Sequence, residues 1–387
     1  MPKKLDYFAD IVPRTGVTNI RIATFNVENL FDRPKAMNYE NFAKGQTFLN
    51  AAYTLNSLFS KAVYTEQDKQ KILEIMMRHG LHVTRPRNSH LTFRKIRGQL
   101  LKKVSGRYQV VAKGRSNWIG WIELEETAIN DLAIHNTARV IAAVNADIIA
   151  LCEVEDRPGL VKFHNNVLAP ILKSTGRTGY PFSMVVDGND PRGIDVAILS
   201  RFEITDISSH VFDLPGATPI FPRDCCEYFI EVPGIKGRLI VMANHFSSKG
   251  TDPTGSKRRV FQSQRVAAIV DKRIQQGFTH FVVCGDLNDT PGNPGLKPLV
   301  GHPQLKDAVK KYARSIDPSG KRLGTYKTGK EQLDYLLMSP AIEAAARGAG
   351  IERRGHFAPK TWQAFDSIKS SRDNASDHHC VWVDLEV

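Results

Sequence analysis

The apolar run Phe281-Val282-Val283-Cys284 is broken by Gly285 and followed by Asp286, Asn288 and Asp289. Four apolar residues bounded by turn signals read as a strand buried on both faces. Pro291-Gly292 and Pro294-Gly295 then keep the chain in turns. If strand geometry persists past Gly285, Asp286 and Asn288 lie two residues apart and point the same way. A carboxylate beside a carboxamide at a strand end can hold a water and a phosphoryl oxygen together. An Asx-rich turn has the same residues, so this stretch alone leaves turn and active site both open.

The 387 residues, 42% hydrophobic and 24% charged, have the composition of an ordinary globular protein. No apolar run approaches the ~20 residues needed to span a bilayer. The N-terminal lysines precede no apolar segment of the secretory kind. Cys152, Cys284 and Cys380 lie in apolar, strand-like runs, and Cys225-Cys226 form an adjacent pair. Five cysteines do not make a disulfide scaffold, so reduced thiols and a cytoplasmic location are expected. The net charge of +13 is uneven. From Ile75 to Ile122 there is no acid, but eleven bases, among them Arg94, Lys95, Arg97, Lys102 and Lys103. A solvated mixed-charge face would carry acids too, so the stretch points to a polyanion partner.

Taken in order, residues 1–18 read as an extension, and 19–25 as a strand ending near Asn26. Helical spacing marks 41–59 and 66–78, and Tyr108–Val111 suggests a strand. Residues 33–122 read as an insertion folded onto the main body. Helices are expected at 128–145, around 160–172 and at 266–274. Strands are expected at 148–152, 180–186, 195–199, 333–338 and 381–387, with a hairpin of 227–232 and 238–243. No sequence repeat is visible. Many short strands with interspersed helices predict an α/β (α+β) fold, a four-layer sandwich of two mixed β-sheets flanked by helices.

The strand ends carry Asn26, Glu153, His245, Asp286 with Asn288, and Asp377-His378. Singly, each is an unremarkable cap; together they are all metal-, acid- or phosphate-competent. The segments TFNVEN, LCEVED, RGIDVAILS, ANHF, GDLNDTPGNP, QLDYLLMS and ASDHHCVWVDL, in this order, resemble the endonuclease/exonuclease/phosphatase superfamily from Asn19 to Val387. The resemblance implies one catalytic domain over 19–387, interrupted by the basic insertion, and a phosphodiester hydrolase using Mg²⁺ or Mn²⁺.

The resemblance also implies roles. Glu153 is matched to the principal metal carboxylate, with Asn26, Glu28 and Asp377 on the metal side. His378 is matched to the histidine at the scissile phosphate and Asp334 to its orienting carboxylate. His245 is matched to a second histidine, with Asp195 as its carboxylate partner. Asp286 positions the attacking water and Asn288 donates to a phosphoryl oxygen.

The family leaves the substrate open. Gln332-Leu333-Asp334-Tyr335 lacks the Trp and Arg of inositol 5-phosphatases, and His245 replaces a tyrosine usual in abasic endonucleases. The leading expectation is a nuclease on DNA or RNA, its insertion neutralising phosphates. Phe93, Tyr108 and Trp118 are candidates for base stacking, or core residues. The alternative is a phosphatase or phosphodiesterase on a phospholipid or small phosphorylated molecule. A non-catalytic platform would require a damaged catalytic set, and none is visible.

Overall fold

The computed structural model describes residues 19–30, 42–83, 90–125, 131–190, 192–214, 216, 218–249, 253–359 and 361–387. The extension expected at 1–18 lies outside these residues. The chain divides into two compact units, Met1–Phe31 with Ile129–Val387, and Asp32–Ala128.

The larger unit holds two six-stranded sheets. The first runs β15 (Ala346–Glu352), β16 (Cys380–Glu386), β1 (Asn19–Leu30), β6 (Ile148–Val154), β8 (Asp195–Ser200), β7 (Phe182–Val186). The second runs β13 (Lys306–Asp307), β14 (Asp334–Met338), β12 (Phe281–Asp286), β11 (Arg238–His245), β10 (Cys225–Glu231), β9 (Ile204–Ser208). Both are mixed, with one parallel pair each, β1/β6 and β11/β12. Each parallel pair is spanned by a helix, α3 (Asp131–Val144) or α6 (Pro253–Gln275). The helix α4 (Arg157–Phe163) continues through a π-turn into α5 (Ala169–Ser174).

The fully buried strands were the most legible elements because both of their faces are apolar. In β6, Ile148, Ala150 and Cys152 enter the cluster between the sheets, while Ile149, Leu151 and Val154 pack under α3. In β12, Val282 and Cys284 face inward while Phe281 and Val283 meet α6. The layers are thus helix, sheet, sheet, helix.

The two sheets share one plan. In the second, β9 to β14 appear in spatial order β9-β10-β11-β12-β14-β13. In the first, β15, β16, β1, β6, β7 and β8 appear as β15-β16-β1-β6-β8-β7. The order is identical once the chain is read as a circle, so β1 corresponds to β11, β6 to β12, β8 to β14 and β16 to β10.

The smaller unit has its own apolar core under α1 (Phe42–Phe59) and α2 (Glu66–Arg78), with Leu55, Ile72, Met76 and Trp118 fully enclosed. Thr65 and Asp68 form a capping box at the start of α2. Strand β2 (Leu91–Arg97) pairs with β5 (Ile119–Leu124), and β3 (Leu101–Val104) with β4 (Arg107–Val110).

Candidate active site

The first sheet ends on one side in Asn26, Glu153 and His378, the second in His245, Asp286 and Asp334. Parallel strands end together, so β11 and β12 set His245 beside Asp286 in register, and antiparallel β14 starts there with Asp334 opposite Asp286. The carboxamide of Asn26 closes the seam between the sheets. Its Nδ2 donates to Glu153 Oε1 and to Asp286 Oδ2, each at 3.1 Å. Its oxygen accepts the Glu28 amide at 3.0 Å, which leaves that oxygen a second lone pair.

Backbone strain collects here. Of six non-glycine residues with positive φ among those described, Glu28, Glu153, Asn288 and Lys327 belong to the site or its rim. Such conformations cost on the order of 1–2 kcal/mol each and persist where surrounding contacts impose them. Asn288 shows how the two readings of its stretch combine. At φ 53° it is no longer strand, yet its amide donates to Asp286 Oδ1 at 2.8 Å and its Nδ2 to Asp286 Oδ2 at 3.1 Å. The Asx turn is itself part of the site. The second Nδ2 hydrogen goes to the Phe246 carbonyl, so Asn288 orients Asp286 and has no donor free for a phosphoryl oxygen.

His378 donates from Nδ1 to Asp334 Oδ2 at 2.8 Å, and its Nε2 lies 3.7 Å from Asp286 Oδ2. The Thr325 hydroxyl also donates to Asp334 Oδ2, at 2.6 Å, while receiving the Leu333 and Asp334 amides. Burial disfavours the charged imidazole, but Asp334 and Asp286 outweigh it and hold His378 well above the usual histidine range. The Tyr326 ring packs 4.8 Å from the imidazole. Burial lifts the Asp286 carboxyl to about 7, with His378 opposing the rise and Asp334 adding to it.

His245 corrects the sequence expectation. Asp195 is not its partner: the Asp195 carboxylate accepts the Gly188 amide at 2.8 Å, and burial lifts it to about 7. The Arg223 guanidinium instead donates to His245 Nε2 at 3.0 Å, and Nδ1 is buried without a partner. Burial and Arg223 push His245 well below the usual histidine range, so it is neutral with its proton on Nδ1. The shared sheet plan explains the miss. Asp195 starts β8, the counterpart of β14, whose Asp334 meets His378, two residues before β16. The corresponding position before β10 is occupied by Arg223, while His245 ends β11, the counterpart of the strand bearing Asn26. Arg223 lies 3.4 Å from Asp190, which also pairs with Arg192 at 2.9 Å. These loop residues carried no signal in the sequence, because no periodic element delivers them.

Glu28 is reached by solvent at the rim, yet the protein around it, Asp377 and then Glu153 push its carboxyl up to about 7. Three carboxylates thus crowd one region, a hard-oxygen donor set without sulfur that fits a divalent cation of the Mg²⁺ type. Ligand atoms of Asp286, Asp334 and His378 also lie within 4.8 Å of one another. Asp334 and His378 are already hydrogen-bonded to each other there, which suits proton handling. Behind Asp286, Arg259 binds Asp289 at 3.0 Å and the carbonyls of Ser247 and Ser248 at 3.1 and 2.9 Å, tying two site loops to α6.

In the smaller unit, Trp118 is fully buried and Phe93 stacks against it, so both are core residues. Arg94 is paired with Glu123, just beyond the acid-free stretch. Tyr108 packs edge-on against His82.

Acid and histidine groups thus converge from two packed mixed sheets of a four-layer sandwich. The model of the endonuclease/exonuclease/phosphatase family matches residues 124–378, more than half of the sequence, and the chain belongs to that family. Membership implies a phosphoester hydrolase. A family member from Bacteroides thetaiotaomicron has a similar structure, with a TM-score of 0.50 at 14% identity, over 96% of this chain and 95% of that one. Truncated Caenorhabditis elegans TDP2 gives 0.45 at 19% identity, over 66% of this chain and 90% of that one. The human Nocturnin catalytic domain with bound sulfate gives 0.45 at 17%, over 66% and 86%. No curated protein matches the sequence. Among the described residues, no helix is long and apolar enough to cross a membrane.

Proposed function

We propose that this protein is a Mg²⁺- or Mn²⁺-dependent phosphodiester hydrolase, a nuclease that drives water onto the phosphorus of DNA or RNA. The observation that carries this reading is the Asn26 bridge, which sets Glu153 of one sheet against Asp286 of the other, with the Asp334–His378 pair alongside. Glu153, with Glu28 and Asp377 nearby, would hold the cation. When bound, it supplies positive charge for the phosphoryl and leaving oxygens.

The chain's own groups do the rest. Asp286, held by Asn26 and Asn288, takes the proton of the attacking water when ionised. His378, kept protonated by Asp334 and Asp286, donates Nε2–H to a phosphoryl oxygen. Arg223 adds a buried positive charge and fixes His245 as a neutral group. Lys95, Lys102 and Lys103, with Arg94 and Arg97, supply phosphate contacts that do not read sequence.

The purified protein is to be incubated with plasmid, single-stranded DNA, RNA and bis-p-nitrophenyl phosphate, with and without EDTA. Cleavage of nucleic acid that EDTA abolishes is expected. Hydrolysis of the small diester with every nucleic acid left intact would refute the nuclease reading.

One observation favours the lipid alternative. Phe212, Leu214 and Phe261 are 86%, 55% and 54% exposed. Asp213, between the first two, pairs with Arg265 one turn beyond Phe261, so the three share a neighbourhood. Hydrolysis of phospholipid in anionic vesicles, lost in Phe212→Ser, would move that reading ahead.

A further inference from the structure

Strands β2 to β5 form one long antiparallel hairpin. Pairing runs from Leu91 opposite Leu124 to Val104 opposite Arg107, and it resumes across the break between β2 and β3 through the Val111 amide on the Leu100 carbonyl. The tip is a two-residue turn. Ser105 and Gly106 have φ of 47° and 82°, both positive as a type I′ turn requires, and this turn matches the twist of the ribbon. From Leu91 to Leu124 the hairpin carries eight bases and one acid, and that acid, Glu123, is spent on Arg94 near the base.

The two faces of the tip differ. Leu101 and Val110 pack on the core of the smaller unit, with Lys103 and Tyr108 on the same side of the strands. The other face presents Lys102, Val104, Arg107 and Gln109, all exposed. Among the described residues, neither Lys102 nor Arg107 has an acidic partner.

We propose that this tip is a two-stranded ribbon that enters the major groove of double-stranded, B-form DNA. This rests on the nuclease reading above and narrows its substrate. Strands of four residues extend roughly 13 Å, and the groove is ~12 Å wide and ~8.5 Å deep, wide enough for a two-stranded ribbon. Lys102, Lys103 and Arg107 reach the flanking phosphates, and Gln109 faces the base edges. Single strands are disfavoured at the tip because its one aromatic ring, Tyr108, is half-buried edge-on against His82, and the exposed Trp121 lies back on β5, outside the tip. An A-form RNA duplex has too narrow a major groove.

The test uses the full-length protein, a fluorescent DNA duplex, the matching single strand and the matching RNA duplex, titrated over a range of salt. Lys102→Ser with Lys103→Ser and Arg107→Ser is expected to weaken DNA-duplex binding by roughly tenfold or more and to cut the salt slope by ~0.9 per lost contact. Removing three exposed lysines elsewhere, Lys236, Lys272 and Lys297, is expected to leave both nearly unchanged. Should the triple variant lose its melting transition, the charge-keeping set Lys102→Arg, Lys103→Arg and Arg107→Lys decides, and it is expected to retain affinity and slope. Unchanged affinity and slope in a folded triple variant, or loss of both in the charge-keeping set, overturns the proposal. Equal tip-dependent binding to single strands or RNA duplex overturns the groove assignment. Tip-dependent duplex binding without cleavage of any nucleic acid would sink the nuclease reading and leave the ribbon. Duplex cleavage with a wild-type slope in the triple variant would do the reverse.

Discussion

Glu153, Asp286 and His378 gather at the seam of the two sheets, and the tasks proposed for them differ in ways that substitutions separate. Glu153→Gln removes a charge where carboxylates crowd, so Mn²⁺ binding measured by titration calorimetry is expected to weaken first. Asp286→Asn and His378→Ala are expected to leave that binding nearly intact and lower turnover by ~10²–10⁴-fold. Unaltered turnover in either would place the chemistry elsewhere. Another histidine, outside this set, makes stability depend on pH. His210 is held between Asp213 and Glu227, each at 2.9 Å, and these carboxylates also pair with Arg265 and Arg273. Burial disfavours its charge, but Glu227 and Asp213 prevail and raise its pKa above the unfolded value of ~6.5. The imidazolium therefore contributes in full below about pH 6.5, and its contribution is lost as pH rises through the raised value. The gap in melting temperature between wild type and His210→Gln is expected to narrow from pH 6 to about pH 9. A gap that widens in that direction excludes the assignment.

At the level of elements, the turn between β12 and Asn288 depends on one glycine. Gly285 has φ 125°, and a Cβ there would overlap the Asn244 carbonyl of β11. Gly285→Ala is expected to cost ~3 kcal/mol or more, since neither the φ nor the backbone contact can be kept. A melting temperature within a degree or so of wild type would show that the strands separate at little cost. The same strands show what sequence can reveal. β6, β11 and β12 were legible because apolar runs stop abruptly at polar residues, and α3 because one side of it is continuously apolar. β15, with Gly348 and Gly350, and the edge strand β9, with Thr205 and Asp206 exposed, lack such a signature and were missed. β2 was hidden because its burial fades from Leu91 to four exposed residues at its end. Arg223 and Thr325 sit where the chain is irregular, and only the folded backbone brings them to His245 and Asp334.

Two compact units, each with apolar clusters of its own, imply two melting transitions by calorimetry. Mg²⁺ is expected to raise only the transition of the larger unit, because only that unit carries the carboxylates and stabilisation follows binding to the native state. A single transition that moves as a whole with Mg²⁺ would show that the units unfold together. The doubled sheet plan left no trace in the sequence, since strand order is conserved by packing and not by residue identity. It has a consequence for how the chain can be cut. Asn19 is the cross-strand neighbour of Glu386, so a short linker could join Val387 to Asn19 without leaving the sheet. New ends opened at Phe202, between β8 and β9, would then place the strands of each sheet in one stretch of chain, the first still interrupted by the smaller unit. Such a circular permutant is expected to fold and bind Mn²⁺ as the natural order does. If so, the present ends are only one of two equivalent places to begin reading a closed design.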